Sequence, residues 1–166
     1  MRGRHRESMR YGSMTNASMT SQLAAVSVGS IMSTRLVTVR PETPVAALAA
    51  MFAEHEFNAF PVVDANGVLL GIVSKFDVFR IVRHEPARLI PDFRALYAEH
   101  VDDIMRRRVV TLRPRDSVAS AIDLMIASKR RSVPVAERLG RADMLRGIVS
   151  RTDVIRCVTS VQKLAA

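Results

Sequence analysis

Two segments of the chain pair a hydroxyl with a carboxylate at one spacing: Ser74-Lys75-Phe76-Asp77 and Ser150-Arg151-Thr152-Asp153. Each follows the apolar run Gly-Ile-Val and opens a stretch with helical apolar spacing. Two kinds of chemistry fit Ser-x-x-Asp at a strand-to-helix junction. In the first, the pair is a variant of the capping box that satisfies orphan amides at the helix start, worth about 1 kcal/mol. In the second, the aspartate accepts hydrogen bonds from the vicinal hydroxyls of a ribose, while the serine hydroxyl and the first helical amides face a phosphate.

Catalytic chemistry has less to stand on. His5, His55, His84 and His100 fall in the N-terminal tail, at a helix end and in a connecting segment, each without a nucleophile or carboxylate placed for a relay. The single cysteine, Cys157, lacks a partner for a disulfide or a C-x-x-C pair and reads as a small apolar residue of the last helix. No Cys/His cluster has zinc spacing and no phosphate loop of Walker type is present. Asp102-Asp103 reads as the cap before Ile104. The sequence therefore predicts a binding protein, with no enzymatic activity and no required cofactor or metal.

The elements that position the two motifs are duplicated. Gly71 to Val78 recurs as Gly147 to Val154, Ile31-Met32 as Ile104-Met105, and Thr38, Arg40, Pro41, Val45 and Pro61 as Thr111, Arg113, Pro114, Val118 and Pro134. Over residues 31–63 and 71–82 against 104–136 and 147–158, 19 of 45 positions are identical, which makes the repeat the unit of architecture. The offset grows from 73 to 76 residues between Pro61 and Gly71, which predicts a loop three residues longer, from Glu137 to Asp143, in the second copy.

In the first copy Leu36–Val39 reads as a strand, Thr43 as an N-cap with Pro44 at the first helical position, and Val45, Leu48, Ala49 and Phe52 as one helical face. Phe60–Val63 and Val68–Val73 read as strands around the turn Asp64-Ala65-Asn66-Gly67, and Ser74 caps a helix to about Arg83. In the second copy Val109–Leu112 is a strand, and Asp116 or Ser117 caps a helix with Val118, Ala121, Ile122 and Met125 on its apolar face. Val133–Val135 and Leu145–Val149 form the hairpin, and Ser150 opens the last helix. The fold class is α+β: two β-α-β-β-α units that share one core about a pseudo-two-fold axis. The boundaries are a disordered or weakly helical leader over 1–28, with 22–28 as a short helix, a first repeat over 29–83, a linker over 84–100, a second repeat over 101–160 and a tail over 161–166. Leu89, Phe93, Leu96 and Tyr97 make the linker a packed helix.

The net charge is +9, from 25 Lys and Arg against 16 Asp and Glu. It concentrates at Arg2, Arg4, Arg6 and Arg10, at Arg106-Arg107-Arg108 and at Lys129-Arg130-Arg131, and it favours polyanionic partners. Aromatic residues are only 5% and tryptophan is absent, so stacking platforms for nucleic acid are scarce. No apolar stretch approaches a membrane span and no secretory core opens the chain, which predicts a cytosolic protein without membrane insertion.

A β-α-β-β-α unit in tandem, with Ile-Met at its start, a Pro-Val strand and Gly-Ile-Val-Ser-x-x-Asp at its end, resembles a pair of cystathionine-β-synthase (CBS) domains, a Bateman module. The resemblance covers about residues 29–160. It implies that Ser74 and Asp77, or Ser150 and Asp153, contact the ribose or phosphate of an adenosine ligand: AMP, ADP, ATP, NAD or S-adenosylmethionine. It implies that the residue three before each strand proline, Arg131 in the second repeat and Asn58 in the first, reaches toward phosphate, with less charge available at Asn58. It also implies that the backbone at Val37 and Val110 pairs with an adenine edge, and that the module forms a homodimer. The function expected is regulatory: ligand biases the orientation of repeats or subunits, and an effector protein reads the state. The alternatives are a scaffold module with empty clefts, Phe57, Phe60 and Phe76 filling the first, and non-specific nucleic-acid binding through the basic surface.

Overall fold

The computed structural model describes residues 16–82 and 99–164. The expected leader before residue 16 and the linker helix across 84–98 lie outside them. Helix α1 (Asn16–Ala25) and a 3-10 turn (Val28–Ser30) precede α2 (Val45–Glu54), strands β1 (Ala59–Val63) and β2 (Leu69–Ser74) and helix α3 (Lys75–Val82). The short α4 (Val101–Ile104), α5 (Val118–Ser128), β3 (Ser132–Leu139), β4 (Ala142–Ser150) and α6 (Arg151–Leu164) follow.

Each hairpin is antiparallel, and the two match in register. Phe60 faces Val73 and Val62 faces Gly71; Val133 faces Val149 and Val135 faces Gly147. Each carries a bulge at the equivalent point, after Val62 and after Val135. The turn after β1 forms as expected: Asp64 Oδ1 accepts from Asn66 N and Val68 N at 2.9 Å, and Gly67 takes φ 82°. The longer loop of the second repeat does not form. Its extra residues extend the ladder to Leu139 opposite Ala142, with Gly140 at φ 60° in the turn. Exposed ion pairs Arg138–Asp143 and Arg146–Glu137 flank this extension.

Two further expectations are corrected. The runs 36–39 and 109–112 are not full strands. Each touches its sheet through a single parallel bridge, Val39 with Val62 and Leu112 with Val135. Thr43 does not cap α2 either. Pro44 occupies that position, and Thr43 Oγ1 instead accepts from Arg40 N at 3.0 Å within the preceding turn. Ser117 does cap α5, accepting from Ser120 N at 3.1 Å.

Among the described residues the apolar interior divides into two clusters, not one common core. Leu48, Phe52, Phe60, Val62 and Val73 form the first; Val118, Ala121, Met125, Val133, Val135 and Val149 form the second. Each is completed by the other repeat's leading segment. Leu23 and Val28 pack into the second cluster, and Val101 and Met105 into the first. The backbone repeats the exchange: Val28 N donates to Asp116 O at 2.7 Å and Gly29 N to Pro114 O at 2.8 Å, while Val101 N donates to Thr43 O and Asp102 N to Pro41 O at 2.9 Å. This reciprocal crossing is the pseudo-two-fold relation in physical form. Because neither hairpin-helix unit closes its own apolar face, the two halves are held together.

Candidate functional site

Helix α6 starts directly after β4, so Ser150 and Asp153 stand at a strand-to-helix junction. Ser150 N and Oγ donate to Asp153 Oδ2 at 2.8 and 2.6 Å, and Asp153 N donates back to Ser150 Oγ at 3.3 Å. The capping box is therefore real. It engages one carboxylate oxygen. The other, Oδ1, has Arg156 Nη1 at 3.9 Å, and the side chain keeps 15% of its surface exposed. The cap thus leaves Oδ1 without a bond from the helix start.

That carboxylate lines a cleft of about 700 Å³ between the repeats. The first repeat contributes its leading segment with Ser33, Arg35 and Val37, and the entry to β1 with Phe57 and Asn58; the second contributes Arg131, Ser150 and Asp153. Five residues singled out in the sequence, Val37, Asn58, Arg131, Ser150 and Asp153, meet here. Asn58 and Arg131, the two pre-proline positions, line the same cleft.

Ser74, Asp77 and Val110 are not among the residues lining this cleft. At the start of α3, Ser74 N and Oγ donate to Asp77 Oδ2 at 2.8 and 2.5 Å, the same cap as at Asp153. Arg106 then lies over it: Nη2 donates to Ser74 Oγ at 3.2 Å and to Asp77 Oδ2 at 3.3 Å. Asp77 is correspondingly buried. Val110 is partly exposed.

A family model described as "CBS domain" matches residues 28–84 and again 101–160. This chain belongs to the CBS domain family. The CBS pair is 26% identical over 169 residues to CBSX2, a chloroplastic CBS domain-containing protein of Arabidopsis thaliana, covering 89% of this chain and 70% of that one. It is 27% identical over 136 residues to a homoserine O-acetyltransferase of Methanococcoides burtonii, covering 82% of this chain. It spans only a quarter of that relative's length. The structure of CBSX2 in complex with AMP superposes with a TM-score of 0.70 at 26% identity, covering 82% of this chain and 98% of that one. The CBS domain pair of protein MJ0100, in complex with 5-methylthioadenosine and S-adenosyl-L-methionine, shares the fold with a TM-score of 0.65 at 23% identity.

The cleft of the CBS pair is electropositive. Arg35, Arg131, Arg151 and Arg156 line it against Glu56 and Asp153. Arg151 Nε donates to Arg130 O at 3.0 Å. Arg35 and Arg131 make no side-chain hydrogen bond or ion pair with a described residue. Unpaired guanidinium groups in a concave site are suited to phosphate, which they bind bidentately. Phe57 lines this cleft half exposed, Phe60 is wholly buried in the first core and Phe76 is exposed to solvent. Among the described residues no cluster of His, Cys, Asp or Glu is suited to a metal ion, and no helix is long and apolar enough to cross a membrane.

Sequence reasoning missed Arg35 and Arg106. Arg35 stands alone in a segment with no periodic pattern. Arg106 is one of three consecutive arginines, and nothing local sets it apart from bulk charge. Only the crossing of leading segments, invisible in local patterns, brings either to a site.

Proposed function

We propose that this CBS pair is a regulatory sensor of adenosine nucleotides in the cytosol and not an enzyme. Asp153 takes the ribose hydroxyls through Oδ1, Arg131 and Arg35 take phosphate, and the backbone at Val37 takes the adenine edge. One observation carries the reading: an open cleft gathers a half-free carboxylate and two guanidinium groups that have no side-chain partner among the described residues. The AMP complex of the relative CBSX2 supports the ligand class. Since the cleft is built from both repeats, its occupant biases their relative orientation by the difference in its affinity for the two arrangements. The exposed side chains Phe76 and Phe79 on α3 and Ile155 on α6 supply a face for a second copy, and the resulting homodimer passes the change to an effector protein.

The test is a thermal-shift and calorimetric panel of AMP, ADP, ATP, NAD and S-adenosylmethionine. A ligand at 100 times its Kd raises stability by about 2.7 kcal/mol. Absence of any shift at millimolar concentration removes the sensor reading and leaves a scaffold.

A further inference from the structure

We propose that Arg106 is a built-in occupant of the pseudo-symmetric counterpart of the Asp153 cleft, closing that second site against the ligand the first one takes. The ligand rests on the reading above; the closure itself stands on this chain's own geometry.

The two halves put the same backbone in the same place. Ser33 and Ile148 exchange hydrogen bonds at 2.9 and 3.0 Å, and Arg106 and Ile72 do so at 2.9 and 3.0 Å. Residues 33 and 106 are therefore structural equivalents, each beside the Ser-x-x-Asp motif of the opposite repeat. What differs is the side chain. Ser33 is short and lines an open cleft, with Asp153 beyond it 15% exposed. Arg106 spans the same gap. Its Nη2 donates to Ser74 Oγ and to Asp77 Oδ2, and the Asp77 side chain keeps only 5% of its surface.

The guanidinium meets Asp77 at Oδ2, the oxygen that also takes the cap, so it closes the site by standing over the carboxylate and adding charge there, not by taking a sugar's place at Oδ1. Two backbone bonds fix where the side chain starts, so the contact is aimed. The Arg106 side chain is 43% exposed while Asp77 keeps 5%, and Ser74 N and Oγ still bond the carboxylate without the arginine, so the guanidinium can swing into water and leave the site to a competing ligand. The closure therefore ranks the sites instead of abolishing one.

The test exchanges the two residues. Calorimetry of the full chain with AMP is expected to give one strong site per chain, with any second site at least tenfold weaker. Arg106→Ser should yield two sites within about threefold of each other, and Ser33→Arg should weaken the strong site at least tenfold. Carbodiimide labelling of carboxylates, read by mass spectrometry without ligand, is expected to leave Asp77 unmodified in the wild type and to reach the level of Asp153 in Arg106→Ser. If AMP binds no variant but Asp77 labelling rises in Arg106→Ser, the adenosine reading fails and the closure stands. Two equal sites in the wild type, a single site in Arg106→Ser when the wild type binds AMP, or Asp77 still unlabelled in that variant, overturns the proposal.

Discussion

Ser33 N donates to Ile148 O at 2.9 Å, and Ile148 N returns a bond to Ser33 O at 3.0 Å, across the boundary between the repeats. The neighbour of Ile148 is Gly147, where an added Cβ would lie 2.6 Å from Met32 Sδ and 3.0 Å from Ser33 O. Gly71 has the same relation to Met105 Sδ at 2.8 Å and Arg106 O at 3.0 Å. Glycine at these two positions lets the exchanged segment approach. Gly147→Ala and Gly71→Ala should each lower stability by about 1 to 3 kcal/mol through overpacking, seen in urea unfolding. Gly140→Ala is the contrast: nothing lies within 4 Å of its Cβ, so only the strain of φ 60° remains.

The leading segment is structural. Leu23 on α1 is 5% exposed and packs with Val118, Met125 and Val149 of the second repeat's cluster. Leu23→Ala should cost about 2 kcal/mol or more, because it empties a site walled by both repeats. A single cooperative transition with a lowered midpoint is the expected result. Two separated transitions would mean that the crossing does not couple the halves.

The cap made by Asp153 and its proposed ligand contact are separable. Asp153→Asn keeps an oxygen for the cap on Ser150 but loses the charge and an acceptor facing the cleft. Affinity for AMP should fall at least tenfold with little loss of Tm. Asp153→Ala should lose the same binding and, in addition, about 1 kcal/mol of stability from the missing cap. Equal Tm for the two variants would show that the carboxylate does not hold the helix start.

Burial pushes the Cys157 thiol above its ordinary value. The folded state therefore prefers the protonated form. That preference stabilises the fold fully below the ordinary thiol pKa and is lost as pH rises through the raised one. Alkylation by iodoacetamide at pH 8 should be slower in the native chain than in urea, since the thiolate is the nucleophile. Equal rates would place Cys157 outside the second core.

Much of this was legible because it is local. The duplicated Ser-x-x-Asp, the Asp64–Gly67 turn, the apolar face of α5 and that of α2, apart from Ala49, which is exposed, each follow from residues within one or two turns of each other. What sequence patterns missed is non-local. Arg106 and Asp77 lie far apart in the chain, and the segment carrying Arg106 has no period that announces its partner. The 36–39 and 109–112 runs have strand composition, yet each makes one bridge, because β-propensity reports a fit to a half-buried surface and not a paired neighbour. The change in repeat offset locates three extra residues in the second repeat but does not say whether they form loop or ladder. Arg138 and Asp143 pair across the extended ladder, so charged residues there sit within the strands and do not interrupt them.

The exposed faces of α3 and α6 obey the same duplication. Phe79 and Ile155 occupy equivalent positions and are 63% and 62% exposed, with Phe76 at 66% beside them. Large apolar groups that open to water, repeated by a pseudo-two-fold axis, suit an isologous contact with a second copy, where each patch meets its counterpart. Phe79→Asp combined with Ile155→Asp should convert a dimer to a monomer in sedimentation velocity. Because both side chains are solvent-facing in the single chain, the monomer should keep its circular dichroism and unfold cooperatively. A wild-type chain that sediments as a monomer at micromolar concentration, or a double variant that stays dimeric, would move the assembly surface away from these helices.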